Sequence, residues 1–167
     1  ANYLCNIHGV DTISCGHVIA FAIECRERGW ISDELLDGID LTWGNSEAVV
    51  EMVEKIIRRE GIGDLLAEGV ARAAKAIGKG AEELALHVKG LEMPYHDPRT
   101  AKTLALQYGT ANRGMCHVHP HETCNVVHSP SFAETLVPYG LPKPPIDGYS
   151  EKGMGRITAL VQDAGMT

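Results

Sequence analysis

Apolar side chains recur along most of the chain with helical rather than alternating spacing. The clearest case is SEAVVEMVEKIIRREG, in which the apolar residues fall on one face of a helix. Asn45 or Ser46 can cap the start of this helix, and Gly61 can end it. The stretch therefore predicts an amphipathic helix that ends at Gly61.

Two further stretches predict helices in the same way. DTISCGHVIAFAIECRERG begins at an Asp11 or Thr12 cap and ends at Gly29, and its nearly continuous apolar face predicts a buried central helix. DLLAEGVARAAKAIG predicts a single helix that is capped by Asp64. Gly69 would lie inside that helix, where it costs about 1 kcal/mol relative to alanine.

The rest of the chain is less regular. We expect a helix from about Arg99 to Ala111, another in EKGMGRITALVQDAG, and a short turn of helix in SDELLDG. HSPSFAETLVPYGLPKPPIDGY is rich in proline and predicts a long surface loop. Since only LALHVKGLEM could form a strand, the pattern predicts an all-α, multihelical fold.

Composition and charge exclude several classes of protein. Among 167 residues, 44% are hydrophobic and 22% are charged, which is typical of soluble globular domains. The net charge of -7 argues against nucleic-acid binding and against an anionic membrane surface. The five cysteines suggest reduced thiols in a cytoplasmic protein. Because the chain begins with Ala1 and ends with QDAGMT, we expect it to be a piece of a larger protein.

The stretch NRGMCHVHPHETC concentrates chemistry in a few residues, namely Cys116, His117, His119, His121 and Cys124. Imidazole and thiolate suit zinc, but the ligands alternate around a proline and lack the paired spacing of structural zinc sites. A helix that ends at NRG would instead hold His117 in a defined place, where an imidazole can exchange protons near neutral pH. Zinc binding, catalysis and an ordinary solvated loop all remain open at this stage.

The stretch NIHGVDTIS predicts a corner between two helices. Gly9 ends the first helix and Asp11 caps the second, so Asn6, backbone groups and a carboxylate come together near the positive end of a helix dipole. The corner is therefore a candidate binding site, and the alternative is that Asp11 serves only as a cap.

Several ordered stretches together resemble the tungsten-containing aldehyde:ferredoxin oxidoreductase family. They are CNIHGVDTISCG, IAFAIECRERG, LTWGN, REGIGDLLAEGVARAAKAIGKG, VKGLEMPYHDPR and YGTANRGMCH. The resemblance runs from about Cys5 to His117 and more weakly beyond. It implies that residues 1–92 correspond to most of the second helical domain of the family, and residues 93–167 to the start of the third.

The resemblance implies that the full-length protein oxidises aldehydes to carboxylic acids, or reduces acids, at a tungstopterin. In this cofactor two pterin dithiolenes hold tungsten or molybdenum, and electrons pass through a 4Fe-4S cluster to ferredoxin. The family's pterin-binding motif, D-x-x-G-L-D/C, falls on Asn6, Gly9, Val10 and Asp11. Asn6 departs from the motif, since an amide offers one acceptor oxygen where a carboxylate offers two.

The resemblance also implies candidate catalytic residues. The active-site histidine of the family falls on His117, while Tyr95 and His96, in MPYHDPR, fall in a stretch that resembles the wall of the substrate pocket. We therefore name His117 and Tyr95 as candidate catalytic residues, with no metal ligand expected in the chain. The alternatives are a free-standing helical metal-binding or interaction module, and a non-catalytic family member, which the change at Asn6 would suit.

The resemblance further implies that parts of the active site lie outside these residues. The amino-terminal sheet domain and the C-x-x-C-x-x-x-C cluster motif of the family are absent from the chain. None of its cysteines (Cys5, Cys15, Cys25, Cys116 and Cys124) matches a cluster ligand. We therefore expect the isolated chain to hold neither cluster nor tungsten and to be inactive. We also expect it to expose the face that packs on the amino-terminal domain, which favours self-association as a homodimer.

Overall fold

A computed structural model of the chain describes residues 1–118, 123 and 125–164. The chain divides into two compact units, which are Ala1–Met93 and Pro94–Thr167. Each unit is mainly helical in its described residues, so the all-α expectation is confirmed. Within those residues, no helix has both the length and the apolar character that a membrane span requires.

The first unit consists of short and medium helices followed by one small hairpin. Its elements are α1 (Asn2–His8), α2 (Thr12–Glu27), α3 (Ser46–Arg58), α4 (Ile62–Leu66), α5 (Val70–Ile77), a 3-10 helix (Ala81–Leu84), β1 (His87–Val88) and β2 (Leu91–Glu92). The two strands pair antiparallel, with His87 opposite Glu92. The possible strand in LALHVKGLEM is therefore a two-residue ladder at the end of a helical unit.

Helix α2 is the central helix of the first unit, as its apolar face predicts. It contacts α1, α3, α5, the 3-10 helix and β2. Asp11 caps it, because its Oδ1 accepts a hydrogen bond of 2.7 Å from the backbone N–H of Ser14. Its buried residues are Cys15, His17, Val18, Ile19, Phe21, Ala22, Ile23 and Cys25. A helix that is apolar on nearly every side is stable only when other elements cover it, as they do here.

Helix α3 begins as predicted and ends earlier than predicted. The side chain of Asn45 accepts a hydrogen bond of 3.2 Å from the backbone N–H of Ala48. The helix ends at Arg58, because Arg59 adopts a left-handed conformation with φ 55°. The prediction that Gly61 ends the helix is wrong, since Gly61 instead precedes α4 with φ 54°.

The prediction of one continuous helix over DLLAEGVARAAKAIG is also wrong, because the chain breaks between α4 and α5. Gly69 lies in the break with φ 84° and ψ 163°, a conformation that only glycine adopts readily. The carboxylate of Glu92 accepts a hydrogen bond of 2.8 Å from the backbone N–H of Val70, so β2 caps the start of α5. Asp64 lies inside α4, where it pairs with Arg59 at 2.6 Å instead of capping the helix.

Two other segments differ from their predictions. SDELLDG forms successive hydrogen-bonded turns, in which the N–H of Leu36 donates to the carbonyl of Asp33 at 3.2 Å, and it contains no helix. The proline-rich stretch is helical in its first half, where Pro130 occupies the first turn of a helix. Its second half, residues 140–149, is irregular as predicted.

The second unit packs its helices around a separate apolar cluster. Its described elements are α6 (Lys102–Thr110), α7 (Asn125–His128), α8 (Pro130–Leu136), a 3-10 helix (Val137–Tyr139) and α9 (Met154–Ala164). The buried members of the cluster are Val126, Ala133, Leu136, Leu141, Met154, Ile157 and Val161. Helix α6 packs against α9, and the segment that follows α6 leads to His117.

Candidate functional site

The corner between α1 and α2 is fixed by local hydrogen bonds. Gly9 ends α1 in the left-handed conformation, with φ 68° and ψ 29°. The backbone N–H of Val10 then donates to the carbonyl of Cys5 at 2.9 Å, and Asp11 caps α2 through Ser14. Hydrogen bonds within the corner therefore hold these backbone groups and the Asp11 carboxylate in place.

This corner forms one wall of a cleft of about 480 Å³ in the first unit. Three of the four residues that the sequence assigns to cofactor binding line the cleft, namely Gly9, Val10 and Asp11. The fourth, Asn6, does not line it, and its side-chain amide donates to the side chain of Asn2 at 3.3 Å. The remaining lining residues are Ser14, Cys15, Val18, Ile56, Ile57, Arg59, Leu66, Ala67, Glu68, Gly69, Gly90 and Glu92.

Another part of the cleft lining carries a cation that is paired with carboxylates. Arg59 pairs with Asp64 at 2.6 Å and with Glu68, and the hydrogen bond to Glu68 is the main cause of its raised pKa. Glu68 also pairs with Arg72. The pKa of Glu68 is lowered mainly by its hydrogen bond from Arg59, and the hydrogen bond from Arg72 is the next largest cause. Because the positive charge of Arg59 is shared between two carboxylates, this part of the lining offers hydrogen-bond acceptors as well as a cation.

Two buried groups beside the corner have shifted pKa values. Burial raises the pKa of the Cys15 thiol to about 12, and its neighbour Cys5 adds to this shift, so Cys15 is a neutral thiol at neutral pH. Burial lowers the pKa of His17, while the charge of Glu92 partly opposes that shift. Burial therefore favours the uncharged form of both side chains.

In the second unit, the fold brings His117 against a residue that the sequence placed only in the pocket wall. The rings of His96 and His117 stack, with centroids 4.4 Å apart and planes at 21°. His117 is half-buried, whereas the side chain of Tyr95 is exposed, with 64% of its surface accessible. The buried Tyr108 donates its hydroxyl to the carbonyl of His96 at 2.7 Å.

Sequence reasoning missed two features of these surroundings. The stack of His96 on His117 joins two segments that share no periodic pattern, so the sequence does not predict this contact. The presence of Glu92 in the same cleft as the corner was not predicted, because Glu92 lies on a hairpin far along the chain. The other loop candidates, His119, His121 and Cys124, lie outside the described residues.

The donor set of the chain bears on which cofactor it could hold. Among residues 1–118, 123 and 125–164, no group of three or more His, Cys, Asp or Glu side chains could hold a metal ion. The cleft instead offers carboxylates and backbone groups, which are acceptors and donors for an organic ligand.

Comparison with known proteins identifies the family. Residues 1–166 match the family model described as aldehyde ferredoxin oxidoreductase, domains 2 and 3. The tungsten-containing aldehyde ferredoxin oxidoreductase of Pyrococcus furiosus is 48% identical over 119 residues, which are 71% of this chain and 19% of that protein. The corresponding enzyme of Thermococcus kodakarensis is 44% identical over 119 residues, again 71% of this chain and 19% of that protein.

Two relatives carry other activities in their names. The aliphatic sulfonate oxidoreductase, WOR-like subunit, of Pyrococcus furiosus is 36% identical over 122 residues, covering 70% of this chain and 19% of that protein. The active-site complex BamBC of benzoyl coenzyme A reductase, solved with 1,5-dienoyl-CoA, matches with a TM-score of 0.54 and 34% identity, over 62% of this chain and 16% of that one. The chain spans about a fifth of the length of the curated relatives it matches. It belongs to the aldehyde ferredoxin oxidoreductase family of oxidoreductases, whose second and third domains it matches.

Proposed function

We propose that the chain forms the helical part of an enzyme that oxidises aldehydes to carboxylic acids, or catalyses the reverse reduction, at a tungstopterin. The observation that carries this proposal is the first-unit cleft. Gly9, Val10 and Asp11 are the residues that the resemblance assigns to pterin binding, and all three line that cleft. A cleft of about 480 Å³ is within the size range of small-molecule and cofactor sites.

The chemistry of the cleft fits a pterin. The amino and imino groups of a pterin edge are hydrogen-bond donors, and the Asp11 carboxylate and the backbone carbonyl groups of Gly9 and Val10 are acceptors for them. Tungstopterin supplies the two-electron redox chemistry, with its dithiolene sulfurs holding tungsten or molybdenum. Asn6 lies outside the lining, so its departure from the family motif leaves the Asp11 contact available.

We assign proton transfer to His117 in the second unit. Oxidation of an aldehyde with water to the acid releases two electrons and two protons, so the reaction requires a group that accepts a proton as the acid forms. A neutral imidazole serves this purpose near neutral pH. Tyr95 is an exposed phenol one residue from the ring that stacks on His117, and we assign it a hydrogen bond to the substrate carbonyl.

The proposal places other components in the rest of the full-length protein. These are the amino-terminal domain, the 4Fe-4S cluster and the surface that meets ferredoxin. The family relatives are named as ferredoxin oxidoreductases, which supports ferredoxin as the electron partner. Cys5, Cys15, Cys25 and Cys116 are free thiols, and this agrees with the cytoplasmic location that we propose.

The test is to purify the full-length protein without oxygen, to measure its tungsten, molybdenum, iron and pterin, and to follow ferredoxin reduction when an aldehyde is added. We expect a pterin-bound metal and ferredoxin reduction that depends on the aldehyde. The proposal would be contradicted by a metal-loaded protein that fails to reduce ferredoxin with any aldehyde but exchanges electrons with an aromatic acyl thioester. That result would favour chemistry of the benzoyl coenzyme A reductase type. A protein that folds without pterin would favour a non-catalytic family member.

A further inference from the structure

We propose that His96 is a positioning residue for His117, and that its ring acts as a flat platform that sets the plane of the His117 imidazole. The proposal rests on the function assigned above to His117. It adds the side chain that orients this imidazole and the scaffold that holds that side chain.

The geometry of the two rings supports a platform. Their centroids are 4.4 Å apart and their planes differ by 21°, so the contact is face to face rather than edge to face. The last torsion of a histidine side chain is broad, because it joins an sp³ carbon to a flat ring. A flat neighbour restricts that torsion for His117, since rotation away from the common plane would break the stack.

The backbone of His96 is itself held in place. Its carbonyl receives the hydroxyl of Tyr108 at 2.7 Å, and its own N–H donates to the carbonyl of Pro94 at 2.7 Å. Tyr108 lies on α6 and is only 3% exposed, so its ring is fixed by packing. The position of the platform is therefore set by a buried residue of a helix rather than by the exposed loop around it.

The position of His117 is set by the same helix, α6. The chain leaves α6 at Thr110, turns at Gly114 with φ 117°, and closes the turn with a bond of 2.8 Å from the N–H of Cys116 to the carbonyl of Gly114. The buried Cys116 then precedes His117 directly. Because α6 fixes both rings, one through Tyr108 and one through this turn, their stack is a property of the second unit alone.

If His96 acts as a platform, position 96 requires a particular type of side chain. The stack needs a flat ring of similar size, but it does not need the imidazole nitrogens. Phenylalanine should therefore replace His96, whereas alanine should not. If His96 acted through its own nitrogens on substrate or cofactor, phenylalanine and alanine would be equally harmful.

The test uses the full-length protein and the variants His96→Phe and His96→Ala, each treated with diethyl pyrocarbonate, which acylates neutral imidazoles. Trypsin releases His96 in the peptide 90–99 and His117 in the peptide that begins at Gly114, and fragmentation mass spectrometry separates His117 from His128. His128 lies on α7, is exposed, and serves as the internal reference. We expect His96→Ala to raise the modification rate of His117 relative to His128 several-fold, and His96→Phe to leave the ratio close to that of the parent protein.

The same variants are compared in kcat with an aldehyde. We expect His96→Ala to lower kcat by about 10-fold or more, since small misplacements of a catalytic group are costly, and His96→Phe to restore most of it. An unchanged His117 modification rate in His96→Ala would overturn the platform, and so would equal losses of kcat in both variants. The modification rates require no substrate, so they decide the platform even if the protein proves not to oxidise aldehydes.

Discussion

The sequence pattern and the structure predict opposite effects on stability when Gly69 is replaced with alanine. The pattern places Gly69 inside a helix, where alanine would stabilise the protein by about 1 kcal/mol. In the structure Gly69 has φ 84°, and a Cβ atom there would lie 2.8 Å from the Oε1 of Glu92. That same oxygen receives the N–H of Val70, so the added methyl group displaces the cap of α5. We therefore expect Gly69→Ala to destabilise the first unit.

Two contributions determine how much Gly69→Ala should lower the free energy of unfolding. A non-glycine residue in this backbone region costs about 1–3 kcal/mol. Loss of the hydrogen bond from Val70 to the buried Glu92 carboxylate costs about 1–3 kcal/mol more, because the N–H and the carboxylate are left without each other. The sum, about 2–6 kcal/mol, is a large part of the stability of a typical domain, which is about 5–15 kcal/mol.

Urea unfolding followed by tryptophan emission measures this effect, because Trp30 and Trp43 are the only tryptophans and both lie in the first unit. Gly78→Ala is the matched control. Gly78 has φ 66° and ψ -142°, and a Cβ atom there meets nothing within 4 Å, so only the backbone cost applies. Gly69→Ala should be the less stable variant by about 1–3 kcal/mol. Equal stability of the two variants, or a Gly69→Ala protein more stable than the parent, would refute this reasoning.

Two further predictions concern the corner and the core beside it. Asp11→Ala should lower the free energy of unfolding by about 1 kcal/mol, because the hydrogen bond from the Ser14 N–H is lost, and should lower pterin content in the full-length protein. Asp11→Asn should keep the cap and still lower pterin content. Equal pterin content in the parent and both variants would show that Asp11 is only a cap. Burial lowers the pKa of His17, so the unfolded chain binds a proton at higher pH than the folded chain. Stability in urea should therefore fall as the pH drops below about 6.5, by at most about 1.4 kcal/mol per pH unit, and less steeply in His17→Gln; an identical slope in both proteins would assign the effect to other groups.

Helices were predictable where their signals are local. The caps of α2 and α3 lie within three residues of the groups they satisfy, so Asp11 and Asn45 could be recognised from sequence. The break at Gly69 could not, because the group that replaces the helical bonds is Glu92, on a hairpin distant in sequence. The helix at Pro130 was missed for a different reason, since prolines around it outweighed the helical spacing of SFAETL.

In the candidate site too, features with local sequence signals were predictable and features that depend on distant residues were not. The helix end at Gly9 and the cap at Asp11 were predicted because they belong to a short motif with its own hydrogen bonds, whereas the expected contribution of Asn6 to the site was not found. The rest of the cleft lining and the partner of His117 depend on tertiary packing, through Arg59 in the first unit and His96 in the second. Neither contact leaves a periodic or spacing signal in the chain, so sequence reasoning could name the residues but not their neighbours.

The most direct test of the proposed activity is the aldehyde-dependent turnover of full-length His117→Ala, with metal and iron content measured on the same sample. General acid–base help of this kind is worth about 10²–10⁴ in rate, so we expect turnover to fall by that factor with metal and iron unchanged. His119→Ala and His121→Ala serve as controls from the same loop and should lose far less. Equal losses in all three variants, or loss of the metal in His117→Ala, would contradict the assignment of His117 as the proton acceptor.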